Sequence, residues 1–281
     1  MKHSILITLS IFLFGCFAVT PMSDCENKQA TISPDTGQKN GQEWLCHQDG
    51  QWQSRGEWKE GKKSGTWTWW FDNGQKTEEG SFRNGIAEGP WTSWYRNGQK
   101  DAEGNRKNGY KDGKWLAWFK NGELFLESNY ENNDRGGKWV QWHDNGHKRS
   151  EGSYEKGKLE GKWTYWDKNE NKLSEGNYQN DNEDGPWTYW FDDGQKSMAG
   201  IFKHGKQEGK WTYWYESGEK QEERSYKNGK IDGQRIEWFK SGQTKSEAIW
   251  KNSRPVGIET HWNENGDVIK TTTHKEDEEI E

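Results

Sequence analysis

The sequence contains few of the residues that usually build a protein core. Only 28% of its 281 residues are hydrophobic, whereas 31% are charged. A composition this poor in aliphatic residues is typical of disordered chains. The sequence also contains 21 Trp and 34 Gly, which disorder does not explain. Any fold must therefore take most of its buried apolar area from large flat rings.

An excess of positive charge is also missing. Lys and Arg number 40 and Asp and Glu number 46, giving a net charge of −6, so nucleic acid is not an expected partner. No G-x-S-x-G nucleophile motif is present. His143 and His147 flank a single turn, but the hairpin pattern described below directs them to different faces. We therefore expect no enzyme activity, no metal site and no cofactor.

Long apolar runs are absent except at the start of the chain. A short positive segment is followed by a largely apolar run of ten residues, 5–14, which is too short to span a bilayer permanently and is typical of a secretory signal. The run ends in Leu13-Phe14-Gly15-Cys16, which resembles the lipobox of bacterial lipoproteins. The resemblance implies a signal peptide over residues 1–15 and lipidation of Cys16. Ordinary cleavage a few residues later is the alternative.

A lipidated Cys16 would place the protein in the bacterial cell envelope, facing the periplasm or the exterior. Phe17 rather than Asp follows the cysteine, which resembles lipoproteins sorted to the outer membrane where two membranes are present. We expect residues 16–40 to be a flexible spacer and the acidic residues 275–281 to be a solubilising tail.

Cysteine is scarce, with three in the chain. Apart from Cys16, only Cys25 and Cys46 remain, and an even pair in an exported chain is typical of a disulfide. Closing a loop of about twenty residues stabilises a fold by roughly 3 kcal/mol. We therefore predict a Cys25–Cys46 disulfide that ties the leader to the first repeat.

Glycine recurs every 24 residues, nine times from Gly65 to Gly257. We number each unit from this glycine, which is position 0. A degenerate copy begins at Gly41, so residues 41–274 form an array of one degenerate unit (41–64) and nine further copies from residue 65, the last of them shortened. A fixed period of this kind predicts a repeat architecture.

Each unit has the pattern of a β-hairpin: an aromatic strand, a turn that is usually Asn-Gly, and a second strand. Asn-Gly favours a two-residue type I′ turn. With such turns Trp187 lies opposite Gly200 and Phe202 lies opposite Gly185, so that rings lie over bare glycines and hold the register. The glutamates at position 14, such as Glu79, then pair with the threonines at position 3. We predict an all-β fold, an elongated single-layer antiparallel sheet.

Two aromatic positions of the unit receive different predictions. Position 5 is tryptophan in all nine copies from residue 65, so we predict that it is the buried structural ring. These residues are Trp70, Trp94, Trp118, Trp142, Trp166, Trp190, Trp214, Trp238 and Trp262. Position 6 varies as a surface position would, and exposed aromatic patches tend to mark interfaces. Its rings are the candidate binding residues, Phe71, Tyr95, Phe119, Phe191, Tyr215 and Phe239.

The unit G-x-W-x-x-W-[FY]-x-N-G-[QE]-K-x-x-E-G-x-[FY]-x-x-G resembles the MORN-repeat variant of bacterial proteins. Residues 65–85, GTWTWWFDNGQKTEEGSFRNG, match nearly every position. The resemblance implies a twisted single-layer sheet of successive hairpins without catalysis. Bacterial members are commonly labelled antitoxin-like.

The expected function is therefore a lipid-anchored, non-enzymatic scaffold that binds a partner protein at the bacterial envelope, with an antitoxin-like or immunity-like role as a special case. The chain also resembles, in composition, the Trp/Tyr-Gly repeats of cell-wall-binding modules. Binding of cell-wall glycan through exposed rings is the alternative function.

Overall fold

The computed structural model describes residues 25–275, which form strands and turns and contain no helix. Cys16, the signal segment and all but the first residue of the acidic tail lie outside the described residues. No helix that could cross a membrane is found within residues 25–275.

The first twelve strands are β1 (Thr31–Ile32), β2 (Lys39–Cys46), β3 (Trp52–Lys59), β4 (Lys62–Trp70), β5 (Lys76–Arg83), β6 (Ile86–Trp94), β7 (Lys100–Lys107), β8 (Tyr110–Trp118), β9 (Leu124–Glu131), β10 (Asp134–Arg135), β11 (Gly137–Trp142) and β12 (Lys148–Glu155). The remaining strands are β13 (Lys158–Trp166), β14 (Lys172–Gln179), β15 (Asn182–Glu183), β16 (Gly185–Trp190), β17 (Lys196–Lys203), β18 (Lys206–Trp214), β19 (Lys220–Lys227), β20 (Lys230–Trp238), β21 (Thr244–Lys251), β22 (Arg254–Trp262) and β23 (Val268–His274).

Each strand pairs antiparallel with the next one along the chain. Two strands are divided: β10 and β11 both pair with β9, and β15 and β16 both pair with β14. The prediction of a single antiparallel sheet made of tandem 24-residue hairpins is therefore confirmed.

Two kinds of turn alternate along the sheet, and the prediction of a type I′ turn inside each unit is wrong. At Asn73-Gly74 only the glycine has a positive φ, and Phe71 N–H bonds to Gln75 O across a three-residue loop. The two-residue turns lie between units, as at Asn84-Gly85, where both residues have positive φ as type I′ requires.

The predicted pairing nevertheless holds. Trp187 lies opposite Gly200 and Gly185 opposite Phe202. The longer turn shifts the second strand by one residue, and a β-bulge between Tyr189 and Trp190 shifts it back. The pairing of position 14 with position 3 is also found, for example between Thr68 and Glu79.

The alternation of side chains gives the sheet two different faces. The aromatic face carries positions 2 and 4 of the first strand and positions 13, 15 and 17 of the second. The charged face carries positions 1, 3 and 5 of the first strand and positions 11 and 14 of the second. In unit 185–208, Trp187 and Phe202 lie on the aromatic face, whereas Thr188 and Trp190 lie on the charged face.

The first described residues cover the outer edge of β2. A disulfide joins Cys25 to Cys46, whose Cα atoms are 5.8 Å apart. Lys28 forms a bridge with Trp44, and Ala30 is buried. The structured part therefore begins before Gly41, where the sequence places the start of the array.

Candidate functional site

The most deeply buried rings are the tryptophans at position 2, and the prediction for position 5 is wrong. Position 2 rings are at most 7% exposed, while every tryptophan at position 5 is half-buried. The buried residues are Trp67, Trp91, Trp115, Trp139, Trp163, Trp187 and Trp211. Recurrence in all nine units therefore does not identify the buried ring.

The physical reason is a glycine in the preceding unit. Gly200, at position 15, leaves room for the Trp211 ring, and a Cβ built on Gly200 would overlap its carbon atoms. The expected ring-over-glycine contact is thus present, but the ring comes from the following unit and not from Trp187. The strand register shifts between Ala199 and Ile201, and Trp211 Nε1 donates to the Ile201 carbonyl at 3.0 Å. This one ring therefore fills a space and satisfies a backbone acceptor.

The same contact links most of the units. A position 15 glycine lies under a position 2 tryptophan at the pairs Gly56–Trp67, Gly80–Trp91, Gly104–Trp115, Gly152–Trp163, Gly176–Trp187 and Gly200–Trp211. Rings at positions 2 and 17 alternate from Trp139 to Tyr226 with centroids 4.9–6.3 Å apart. The aromatic face is therefore a continuous core shared by neighbouring units.

On the charged face, five of the nine tryptophans at position 5 meet an ion pair of the preceding unit. Lys172 Nζ lies 4.9 Å from the centre of the Trp190 ring, within cation–π range, and 3.0 Å from Glu175. Burial acts to raise the pKa of Glu175, but hydrogen bonds from Lys162 and Lys172 outweigh it and the pKa is lowered. Lysine, glutamate and tryptophan therefore form one charged and aromatic cluster.

We call this cluster the Lys–Glu–Trp triad. It occurs at five unit junctions, with Lys–Glu distances of 2.5–3.0 Å. Its members are Lys76, Glu79 and Trp94; Lys100, Glu103 and Trp118; Lys148, Glu151 and Trp166; Lys172, Glu175 and Trp190; and Lys220, Glu223 and Trp238. Because a unit contributes two strands, successive units are separated by about 9.6 Å. The lysine side chains remain 39–53% exposed, so the triads form a regular accessible surface.

The candidate binding rings at position 6 are not free surface residues. All six are half-buried. Tyr95 Oη donates to Trp118 O at 2.8 Å, and Tyr215 Oη makes the same bond to Trp238 O. The two tyrosines at position 6 therefore bond to the backbone of the following unit, and Asp167 at the same position accepts hydrogen bonds from the amides of its own turn.

The two histidines considered for metal binding have backbone partners. His143 Nε2 lies 3.0 Å from Trp166 O, and His147 Nδ1 lies 2.9 Å from Lys168 O. Within residues 25–275 no group of three or more metal-ligating side chains is found.

One group on the aromatic face was missed by the sequence analysis. Arg224 at position 15 and Arg235 at position 2 replace the glycine and the tryptophan. Both contact Glu222, whose side chain is 9% exposed, and Arg235 also pairs with Glu237. Burial acts to raise the pKa of Glu222, but the two arginines lower it further than burial raises it. In the sequence, the replacement of the consensus glycine and tryptophan by arginine could have indicated this group. The sequence does not reveal which carboxylate the two arginines contact.

This geometry defines a class of protein: a tandem hairpin-repeat protein with one aromatic face and one charged face. The family model described as MORN repeat variant matches residues 63–84, 87–108, 111–132, 135–156, 159–180 and 207–228. Six repeats of the chain therefore match the MORN repeat variant.

Other comparisons add little. No curated protein matches the chain. Two solved structures, titled "Crystal Structure of TcdB2-TccC3" and "Crystal Structure of TcdB2-TccC3-Cdc42", are similar to it at 11% and 10% identity, each with a TM-score of 0.20. These matches cover 84% and 81% of this chain but only 14% and 15% of the other chains. Similarity at this level supports no conclusion about fold or function.

Proposed function

We propose that the protein is a non-enzymatic scaffold that binds a partner protein along its charged face. The observation that carries this proposal is the recurrence of the Lys–Glu–Trp triad on an accessible surface. The aromatic face is used by the fold itself, because its position 2 rings are buried between units. Half-exposed rings lie on both faces, but on the charged face they lie against the exposed ion pairs of the triads.

A protein is the partner that best fits the chemistry of the triads. Tryptophan is enriched among the residues that dominate protein–protein binding energy. Lysine and glutamate alternate on this face, so it offers both signs of charge to the side chains of a partner. A nucleic acid would need a predominantly positive surface.

The site of action that we propose is the bacterial envelope, with the chain anchored through lipid on Cys16. The lipobox-like sequence and a disulfide between Cys25 and Cys46, typical of exported proteins, support this location. An antitoxin-like role would then resemble immunity against an exported toxin, since a cytoplasmic toxin could not be reached. A Cys16→Ala variant should leave the membrane fraction, and an unchanged distribution would contradict lipid anchoring.

Binding of cell-wall glycan is the second candidate. The position 5 rings favour it, because half-exposed tryptophans at a regular spacing can stack on the sugars of an extended polymer. The lysine that already lies over each ring in the triads reduces the free area for stacking, so we place this candidate second.

One experiment separates the two candidates. The protein is incubated with envelope lysate and, separately, with insoluble peptidoglycan. Protein capture from the lysate should be lost in a Trp166→Ala/Trp190→Ala variant and kept in Tyr110→Ala, which removes a 51% exposed ring outside the triads. Thermal melts check that both variants fold. Ring-dependent binding to peptidoglycan alone would favour the glycan candidate, and capture that ignores the triads would contradict the proposed charged-face site.

A further inference from the structure

The last described strand, β23, is an open edge of the sheet. At the earlier junctions, position 14 of a unit pairs with the first strand of the next unit, as Ala199 does with Thr212. Position 14 of the last unit is Thr271, which has an exposed side chain. Within residues 25–275, β23 pairs with β22 alone. The backbone groups that the repeat uses for pairing are therefore available on the outer side of β23.

The opposite end of the sheet is covered. β1 pairs with the outer side of β2, Lys28 forms a bridge with Trp44, and the Cys25–Cys46 disulfide ties this segment to β2. An exposed strand edge is a template for pairing with another chain. Of the two ends that the structure describes, the one formed by β23 is therefore the end at which a further strand can be added.

β23 lacks the charges that protect strand edges. Natural proteins often place charged side chains, lysine above all, on an edge strand to prevent pairing. The inner strand β19 has five charged residues in the sequence KQEERSYK, whereas β23 has one lysine in VIKTTTH. The lysine and glutamate positions of the triad are occupied by Val268 and Thr271, and Val268 and Ile269 are 59% and 64% exposed. The side chains of this edge therefore favour the addition of a strand.

The sequence of β23 is complementary to itself when two copies run antiparallel. A two-fold axis at Thr272 places Thr271 of each copy opposite Thr273 of the other. Cross-strand threonine pairs stabilise a sheet, and β-branched residues favour strand structure. Residues 270–274 pair with β22 without a bulge, so this stretch is regular enough to take a second neighbour. Because opposite residues lie on the same side of a sheet, the charged face of one copy continues into that of the other.

The charges of such a pair are also compatible. The same axis places Lys270 opposite His274 of the second copy, so that the two lysines do not face each other. His274 Nε2 lies 2.7 Å from Glu259 Oε2, so each pair of Lys270 and His274 has a carboxylate beside it. Like charges directly opposite each other are destabilising, and this register avoids them.

We propose that β23 pairs antiparallel with β23 of a second copy of this chain, so that the two arrays form one continuous sheet. Head-to-tail addition is blocked, because the edge at β2 is covered by the first described residues. A two-fold contact of this kind uses the same edge of both copies and therefore closes at two. The charged face then doubles in length, whichever partner binds to it.

Disulfide trapping tests the proposal in the purified full-length protein. Residues directly opposite each other on the axis have Cα atoms about 4.5 Å apart, which a disulfide can span. Thr272→Cys should therefore give a covalent dimer on a non-reducing gel after mild oxidation. The matched control is Thr260→Cys, which is half-buried like Thr272 but lies one strand inward, so that its two copies would be about 14 Å apart. Equal dimer in both variants, or none in Thr272→Cys, would overturn the proposal.

A second pair of variants asks whether backbone pairing makes the contact. Thr271→Pro/Thr273→Pro removes two outward N–H donors, and edge strands tolerate proline. Combined with Thr272→Cys, it should abolish most of the covalent dimer, while Thr271→Val/Thr273→Val, which keeps the donors, should retain it. Thermal melts check that both variants fold. Dimer that survives the proline changes would overturn the proposal.

Photo-crosslinking in cells identifies what lies against this edge. A photoreactive residue placed at Thr271 should give a product of twice the chain mass that contains β23 peptides from two copies. A crosslink to a different protein, or to residues 276–281 of the same chain, would assign the edge to another strand and overturn the proposal.

Discussion

Two neighbouring unit junctions solve the same packing problem with opposite chemistry. At the first, Trp211 covers Gly200 and is fully buried. At the next, Arg235 takes the tryptophan position and Arg224 the glycine position, with Glu222 between them. The strand pairing is nearly the same in both, with a register shift between Ala199 and Ile201 in the first and between Arg224 and Tyr226 in the second. Backbone pairing and turns therefore fix the repeat, and the side chains that fill the aromatic face can be exchanged as a set.

Replacing the glycine and the tryptophan by two arginines changes the interactions that stabilise the junction. The Gly–Trp junction is held by apolar area, ring contacts and one indole hydrogen bond, none of which titrates near neutral pH. The arginine junction is held by buried ion pairs, which are costly when one partner is removed. The two junctions should therefore respond differently to truncation, to neutralisation and to acid.

The largest effect is expected from truncating the buried ring. Trp211→Ala should lower the free energy of unfolding by about 4 kcal/mol, since a large buried ring is replaced by a cavity. Trp214 lies in the same strand but is half-buried on the charged face. Trp214→Ala should therefore lower the free energy of unfolding by clearly less. Urea unfolding followed by circular dichroism measures both, and a larger loss in Trp214→Ala would reverse our assignment of the structural ring.

The arginine junction should be broken by neutralising its carboxylate. Glu222→Gln removes the carboxylate that pairs with Arg224 and leaves Arg235 with Glu237 alone, and it should cost about 3 kcal/mol at neutral pH. The control is Glu103→Gln on the charged face, whose ion pair with Lys100 is 34–48% exposed and should cost less than about 1 kcal/mol. Equal losses would show that Glu222 is not the centre of the junction.

Lowering the pH should weaken the arginine junction and leave the Gly–Trp junction unchanged. The pKa of Glu222 is lower in the folded protein than its ordinary value, so the unfolded chain binds the proton more readily. Its contribution is present above the ordinary carboxyl pKa of about 4.3 and is lost as the pH falls through the lowered folded value. Between pH 7 and pH 3, the stability difference between wild type and Glu222→Gln should shrink. A difference that stays constant would contradict this linkage.

The sequence predicts the fold of this protein better than it predicts which rings are buried. The 24-residue period follows from the spacing alone. The pairing of Trp187 with Gly200 was predicted from a two-residue turn, and it holds because a β-bulge offsets the longer loop. The turn type was wrong because Asn73-Gly74 and Asn84-Gly85 present the same dipeptide in two different loops. Burial was misassigned because the covering contact joins residues 11 apart in different units, as Gly200 and Trp211 are.

The charged clusters were harder to predict for a similar reason. Glu222 and Arg235 are 13 residues apart and meet only through the pairing of β19 with β20. The Lys–Glu–Trp triads also cross unit boundaries, so a consensus within one unit does not show them. Position 6 varies because its polar side chains, such as Tyr95 and Asp167, bond to backbone groups, and several residue types can do so.

The coupling between Gly200 and Trp211 tests the central claim, that each unit is held to the next by a ring lying over a glycine. A double-mutant cycle in urea measures it. With Trp211 present, Gly200→Ala should cost about 2 kcal/mol because the added Cβ overlaps the ring. With Trp211→Ala the same change should be neutral or stabilising, since alanine restricts the unfolded chain more than glycine does. Additive losses, with no coupling between the two sites, would contradict the account.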